Sequence, residues 1–136
     1  MTDVKDAEYF YNCDINELTA NVIGSAIEVH NALGPGLLER VYHESLQFEL
    51  ESRGIPVASE LSQQVVYKGI KFEKAYRIDL LVANRLVVEV KAKDALIDKD
   101  IAQTLTYLKL GRFKLGLLIN FHEKKLLKGV KRVILS

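Results

Sequence analysis

The chain has 136 residues, of which 49% are hydrophobic and 27% are charged, and its formal net charge is +1 at pH 7. This size fits one domain with a substantial core, and the composition excludes wholesale disorder. The near-neutral charge excludes attraction to a polyanion through a global positive field, so such a contact needs a local basic patch. Candidate patches are Lys68, Lys71, Lys74 and Arg77, and Lys124, Lys125, Lys128, Lys131 and Arg132. Such runs are more often solvated faces than binding sites.

Targeting and metal signals are absent from the sequence pattern. The first 14 residues lack the basic start and apolar stretch of a secretory signal, and Cys13 has no second cysteine to pair with. The apolar segment "LGLLINF" over residues 115–121 is far shorter than the roughly 20 residues that cross a bilayer. The histidines and Cys13 lack the close pair spacing of a structural zinc site. These features predict a cytoplasmic protein that does not associate with membranes.

The predicted organisation is a flexible leader over residues 1–13 followed by a single domain over residues 14–136. Asp14 is a candidate N-cap for the first helix, in which apolar residues recur at helical spacing as far as His30. The segment "NALGPG" ends this helix, because Pro35 cannot continue the hydrogen-bond ladder.

The remaining predicted elements are, in chain order, a helix over 37–53, three strands within 61–93, a helix over 98–110 capped by Asp98 and closed by Gly111, a strand over 113–121 and a candidate edge strand over 130–135. Periodicity changes from helical to alternating spacing where the strands begin. This order predicts an α/β fold with a mixed sheet of four to five strands flanked by helices.

Three charged residues, Asp79, Glu89 and Lys91, interrupt the apolar strands of "YRIDLLVANRLVVEVKAKD" over residues 76–94. A carboxylate withdrawn from water without a partner is costly, so these charges need an explanation. Strand side chains alternate between faces, which predicts an apolar face and a charged face. The expected apolar face contains Tyr76, Ile78, Leu80, Val82, Leu86, Val88 and Val90, and the expected charged face contains Arg77, Asp79, Leu81, Glu89 and Lys91.

A three-residue loop, "ANR", would pair Val82 with Leu86 and place Asp79 directly across from Glu89. Their Cβ atoms would then be about 5 Å apart, and facing like charges are destabilising. A positive group is therefore expected between them. Lys91 is one candidate, and a magnesium or manganese ion held by both carboxylates and a backbone carbonyl is another. The spacing equally allows a solvated charged face with salt bridges.

The order of these charges resembles a known signature. Asp79 followed by "EVK" over residues 89–91 is similar to the PD-(D/E)XK nuclease motif, with Ile78 at the position of the motif's proline. A more specific resemblance lies in "EVHNALGPGLLERVYHESL" over residues 28–46, which is similar to the GxxExxY family. Gly36, Glu39 and Tyr42 occupy the positions that name the family. Segments such as "YKG", "DLLV", "QTLTYLK" and "GLLINF" occur in the same order, so the resemblance covers roughly residues 16–134.

The resemblance implies a restriction-endonuclease-like core that hydrolyses phosphodiester bonds in nucleic acid, with DNA as the expected substrate. It implies that Asp79 and Glu89 hold Mg²⁺, for which Mn²⁺ can substitute, with help from Glu39 and the carbonyl of Val90. It also implies that Lys91 places or activates the attacking water.

Residues on two helices are candidates for supporting roles. Gln103 and Tyr107 are four residues apart on the predicted third helix, away from its apolar stripe, and could face the site. The resemblance gives Gln103 a role in holding the lysine or the phosphate. Tyr42 lies one turn after Glu39 and is expected to be half core and half hydroxyl anchor. The simpler interpretations are solvent exposure for Gln103 and a favourable helix-dipole charge for Glu39.

A second functional hypothesis belongs to a different class. A non-catalytic binding or assembly module could keep the nuclease fold and use Glu89 and Lys91 as an ion pair. Such a module would be indifferent to metal ions. A homodimer is also expected under the nuclease hypothesis, because many nucleases of this type use two copies to address two strands.

Overall fold

The computed structural model describes residues 6–136, which form a five-stranded sheet with helices on both faces. The elements are α1 (Ala7–Asn12), α2 (Ile15–Leu33), α3 (Glu39–Ser52), β1 (Val57–Tyr67), β2 (Ile70–Val82), β3 (Leu86–Lys91), α4 (Asp98–Gly111), β4 (Leu115–Asn120), a 3₁₀ turn (Leu126–Gly129) and β5 (Val130–Ile134).

The strands follow the order β1-β2-β3-β4-β5 across the sheet. Strands β3 and β4 are parallel and are joined through α4, whereas the other neighbouring pairs are antiparallel. The predicted α/β class and mixed sheet are confirmed, and the arrangement agrees with the expected restriction-endonuclease-like core. Over residues 6–136, no helix has the length and apolar character needed to cross a membrane.

The second half of the predicted leader is structured, which corrects the expectation of a flexible segment over residues 1–13. Asp6 caps α1 by accepting a hydrogen bond from the Tyr9 amide, and Phe10 is 3% exposed within the core. Arg85 donates a hydrogen bond to the Phe10 carbonyl at 3.0 Å and thereby ties α1 to the β2–β3 turn. A six-residue helix is too short to show clear periodicity in the sequence. Residues 1–5 lie outside the described residues.

Both faces of the sheet are buried. Helices α1, α2 and α3 cover one face, and α4 covers the other. The first core includes Leu18, Leu46, Leu50, Leu80, Val82, Val88, Leu117 and Phe121. The second core includes Ile78, Leu81, Val87, Leu108, Leu118 and Val133. The reverse face of the hairpin is therefore mostly apolar, and its charges are confined to the end that carries the candidate site.

The alternation of side chains along β2 is interrupted at Asp79, so the predicted faces of this strand are wrong in part. Ile78 packs with Leu81 on the α4 side, whereas Leu80 packs on the opposite side. Glu60 lies between the β1 residues that pair with Leu80 and Ile78, and its φ is 53°. This left-handed value is uncommon outside glycine, and the pairing register of β1 and β2 is the same on either side of Glu60. Opposite this point the alternation along β2 shifts by one residue, so that Ile78 and Leu81 share a face.

The start of α4 also differs from prediction. Asp98 is the first helical residue and not the cap, because Asp100 accepts a hydrogen bond from the Ile97 amide at 2.9 Å. At the other end, Arg112 adopts the left-handed conformation with a φ of 61°. Gly111 is the last helical residue, where a Cβ atom would lie 2.5 Å from the ring of Phe113. Close packing, and not a left-handed turn, explains this glycine.

Candidate active site

The β2–β3 turn sets the register that brings two acidic residues together. The three-residue loop pairs Val82 with Leu86, as predicted, and Asn84 within it has a φ of 56°. The ladder continues for two further pairs. The next residues on β2 and β3 are Asp79 and Glu89, so the predicted register is confirmed.

Asp79 lies where β2 and β3 separate. Leu80 and Val88 are the last paired residues of these strands. Asp79 Oδ2 accepts a hydrogen bond from the Val90 amide at 2.9 Å. A carboxylate, instead of a β2 carbonyl, therefore satisfies this amide. The bond fixes Asp79 beside Glu89.

Glu89 is a buried acid with incomplete hydrogen bonding. It is 3% exposed, and its Oε1 atom has no hydrogen-bond partner among the described residues. Burial, followed by the charge and hydrogen bond of Asp79, raises the pKa of Glu89 to about 10, and the opposing effect of Lys91 is smaller. An unsatisfied buried polar group costs about 1–3 kcal/mol. Within residues 6–136, the charge of Lys91 therefore does not offset the burial of the acid pair.

Lys91 stands at the end of β3, two residues beyond Glu89 and on the same side of the strand. Its Nζ atom lies 3.5 Å from Oε1 of Gln103, which is exposed on α4. This distance is at the outer limit of hydrogen bonding. The structure thus places Gln103 beside the lysine, with a weak contact between them.

Tyr107 lies one turn after Gln103 and stacks on Tyr76, with ring centroids 4.8 Å apart and an interplanar angle of 14°. Burial, followed by the negative charges of Glu89 and Asp79, raises the pKa of Tyr107. Tyr107 therefore remains a neutral hydroxyl close to the acid pair. Sequence reasoning missed Tyr76, because strict alternation along β2 placed it on the face opposite Asp79.

Glu39 begins α3 and faces the same region. Partial burial, followed by the charge of Asp79, raises the pKa of Glu39, and the nearby Lys91, His43 and Arg77 oppose this effect. Glu39 and Asp79 line a cleft of about 340 Å³ together with His43 and Arg77. Glu39 is therefore a neighbour of the acid pair across the cleft.

His43 was not predicted as part of this region. It is 9% exposed on α3, and its Nε2 atom lies 2.8 Å from the Ser59 hydroxyl oxygen on β1. The contact joins α3 to the strand beside β2 and lines the cleft that Glu39 enters. Its position four residues after Glu39, one helical turn further along, is the sequence signal that could have identified it.

Tyr42 lies outside the cleft and acts as an anchor. Its ring is fully buried and stacks on Phe121 with centroids 4.7 Å apart. Its hydroxyl donates a hydrogen bond to the Gly34 carbonyl at 2.5 Å and accepts one from the Leu37 amide at 3.0 Å. These bonds hold the loop that precedes Glu39, so Tyr42 can influence the site only by positioning the start of α3.

Asn120 is a further residue that sequence reasoning missed. It is fully buried at the end of β4, where its amide group donates to the Lys93 carbonyl at 2.9 Å and accepts from the Lys93 amide at 3.1 Å. The bonds hold the chain just after Lys91. A polar residue at the end of the apolar run "LGLLIN" was the available signal, because buried polar groups are normally hydrogen-bonded.

The donor atoms of the acid pair fit a divalent cation of the magnesium type. Mg²⁺ prefers oxygen ligands and is usually held by one or two carboxylates while it keeps several waters. Asp79, Glu89 and the Val90 carbonyl offer such oxygens, and the unpartnered Oε1 of Glu89 is a buried atom that a cation would satisfy. Within residues 6–136, no group of three or more histidine, cysteine, aspartate or glutamate side chains could hold a metal ion. The site therefore fits an ion that retains water, not a closed cage of side chains.

The fold and the arrangement of Asp79, Glu89 and Lys91 define a nuclease-like α/β domain. A model of the PD-(D/E)XK nuclease superfamily matches residues 16–133. The chain belongs to the PD-(D/E)XK nuclease superfamily, whose members generally use divalent metal ions. Comparisons with curated proteins and with solved structures found no significant match.

Proposed function

We propose that this protein hydrolyses phosphodiester bonds in DNA and uses Mg²⁺, with Mn²⁺ as a substitute. The observation that carries the proposal is the convergence of Asp79 and Glu89 at the fork of two strands, with a buried carboxylate oxygen that no protein group satisfies within residues 6–136. Membership of a nuclease superfamily supports the reaction class. The near-neutral net charge is compatible with this function when basic residues gather locally.

Each residue of the site has a distinct task in the proposed reaction. A bound divalent cation supplies Lewis-acid polarisation of the phosphate and lowers the pKa of water. Asp79 and Glu89 hold that cation, and the Val90 amide orients Asp79 for this purpose. Lys91 provides an ammonium group that stabilises negative charge developing during attack on the phosphorus. Gln103 positions the Lys91 side chain.

Glu39 and Tyr42 support a finer assignment within the superfamily, to the GxxExxY family. Glu39 lines the cleft beside Asp79, and Tyr42 holds the loop that contains Gly36. We assign Glu39 as an outer contributor to cation binding, acting from across the cleft. A homodimer is part of the same proposal, because two copies of the site can act on the two strands of a duplex. The cytoplasmic location expected from the sequence is also part of it.

Titration with Mn²⁺ tests the cation site directly. Wild-type protein should bind Mn²⁺ by calorimetry and should gain about 2.7 kcal/mol of folding stability at 100 times the dissociation constant. Asp79→Ala and Glu89→Gln should abolish both effects, because each removes a ligand. Glu51→Gln, at an exposed position on α3 outside the cleft, is the matched control and should behave as wild type. Equal Mn²⁺ binding by Asp79→Ala would refute the site.

Cleavage of a labelled DNA duplex tests the reaction itself. Lys91→Ala should leave Mn²⁺ affinity nearly unchanged and lower the rate by about 10²–10³-fold, because the lysine acts on charge that develops in the transition state. The second candidate is a non-catalytic module with the nuclease fold, in which Lys91, whose charge opposes the rise in the pKa of Glu89, serves as the counter-charge of Glu89. That candidate predicts unchanged stability with Mn²⁺ and no cleavage by wild-type protein.

A further inference from the structure

The outer half of the β1–β2 hairpin extends beyond both cores. Every residue from 66 to 75 is exposed, and no residue of 65–74 belongs to either core cluster. A tight turn closes the hairpin at Lys68 and Gly69, whose φ values are 47° and 83°. Two left-handed residues match the natural twist of a hairpin. Residues 65–74 are called the arm from here on.

One face of the arm is apolar and exposed. Val65 pairs with Phe72, and Tyr67 pairs with Ile70, so these four side chains share one face. Tyr67, Ile70 and Phe72 are 59%, 56% and 49% exposed. An isolated two-stranded hairpin is only marginally stable in water, and contiguous exposed apolar surface usually marks an interaction site. The arm therefore has the properties of a surface that a partner covers.

The charge of the arm indicates the chemistry of that partner. Lys68, Lys71 and Lys74 against Glu73 give the arm a net charge of +2 (three positive charges less one). No carboxylate of residues 6–136 forms an ion pair with these lysines. Lysines alternating with aromatic and aliphatic side chains suit a partner that is anionic along its edge and apolar within, as a nucleic acid is.

We propose that the arm binds the DNA duplex outside the active site by entering its major groove. This inference rests on the proposed function, because it assigns a second contact to the same substrate. A two-stranded ribbon fits the roughly 12 Å width of the major groove. The lysines contact phosphates on either side of the groove, and the apolar face of Tyr67, Ile70 and Phe72 contacts thymine methyl groups and base edges.

The position of the arm on β2 sets the distance between the two contacts. Asp79 and Phe72 lie on this one strand, seven residues apart. At about 3.3 Å per residue the separation is at most about 23 Å, which corresponds to about seven base pairs of duplex. The arm therefore contacts DNA to one side of the scissile phosphate, and short duplexes that end before it should lose this contact.

Binding of a fluorescent duplex of about 30 base pairs, followed by anisotropy in EDTA, tests the arm without hydrolysis. The double variant Lys68→Ala/Lys71→Ala should weaken binding about tenfold or more near 0.1 M salt. It should also reduce the slope of log K against log salt by about 2, because two phosphate contacts are lost. Lys109→Ala/Lys114→Ala, which removes two exposed lysines at the opposite end of the sheet, is the matched control and should change neither quantity.

A second variant tests the contribution of the apolar face to DNA binding separately from that of the lysines. Phe72→Ser should weaken binding with an unchanged salt slope, and its circular dichroism should match wild type because the residue lies outside both cores. Wild-type affinity and salt slope in the lysine double variant would overturn the proposal, and so would a wild-type protein that binds no duplex. The Mn²⁺ titration of Asp79→Ala tests the proposed function separately, since it involves no DNA.

Sedimentation velocity tests whether a second copy of this chain, instead of DNA, covers the apolar face of the arm. If the apolar face instead joins two copies of this chain, Phe72→Ser should convert a dimer to a monomer while the lysine double variant stays dimeric. That result would overturn the DNA contact and assign the arm to self-association.

Discussion

Asp100 and Glu89 are both carboxylates withdrawn from water, each with a lysine close by in sequence, and their surroundings differ completely. Asp100 is 7% exposed, and the Lys93 ammonium donates to both of its oxygens, at 3.1 and 2.8 Å. The Ile97 amide donates to Oδ2 as well. Although burial alone would raise the pKa of Asp100, its bonds to Lys93 and Ile97 lower it. Asp100 is therefore a charge that the fold itself satisfies.

Glu89 lacks what Asp100 has. One of its oxygens has no partner within the described residues, and burial and Asp79 raise its pKa to about 10. Lys91 is near enough to oppose that shift, yet its Nζ contacts Gln103. The protein can therefore satisfy a buried carboxylate with a lysine, as the pair of Asp100 and Lys93 shows. The unsatisfied state of Glu89 supports the proposed cation site.

The largest predicted effect concerns the stability of metal-free protein carrying Glu89→Gln. Folded Glu89 holds its proton more tightly than the unfolded group, whose pKa is 4.5, so wild-type stability falls as pH rises from about 4.5 towards 10. Glutamine does not titrate and avoids this loss. The variant should exceed wild type by on the order of 3 kcal/mol at pH 7 in urea unfolding, with the gap closing near pH 4.5.

Addition of Mn²⁺ sharpens this test, because a bound cation favours ionised Glu89 and should flatten the pH dependence of wild type but leave the variant unaffected. A gap of the same size at every pH would show that Glu89 does not titrate between the folded and unfolded states. The comparison with Asp100 would then fail.

Asp100→Asn should have the opposite sign and a smaller magnitude. The change removes two bonds to Lys93 and weakens the start of α4, which should destabilise the fold by about 2 kcal/mol at pH 7. The pKa of Asp100 is lowered from 3.8, so its contribution is present above this value and disappears as pH falls through the folded pKa. Urea unfolding at pH 7 and pH 3 measures the difference. A stabilised variant at pH 7 would place Asp100 in the same class as Glu89.

The sequence was sufficient for the order of helices α2 to α4 and the five strands, and for the central register. The odd length of the "ANR" loop and the alternation of apolar residues determined that Asp79 would face Glu89, because slipping by one residue would have exposed a buried face. The phase shift at Asp79 was not predictable in this way. It lies opposite the left-handed backbone of Glu60 on β1, and nothing in glutamate's local preference indicates that conformation.

The acid pair and the lysine of the candidate site were recoverable because their charges interrupted an apolar pattern. Asp79, Glu89 and Lys91 stood out for this reason, whereas Asp100 was overlooked because acidic residues are common in the first turn of any helix. The burial of Asp100 depends on Lys93 and Asn120 from other elements. Such a network of long-range contacts leaves no periodic signal in the sequence, so its members are visible only in the folded chain.

The smallest predicted effect concerns Gln103→Ala. The contact of Gln103 with Lys91 is exposed and 3.5 Å long, so its loss should change folding stability by less than about 0.5 kcal/mol in urea unfolding. DNA cleavage should slow only a few-fold, because Lys91 keeps its charge and its place on β3. A marked gain in stability at pH 8, together with a weaker pH dependence, would show that released Lys91 pairs with Glu89 as Lys93 pairs with Asp100. Lys91 would then be able to serve as the counter-charge, and the need for a cation at Glu89 would disappear.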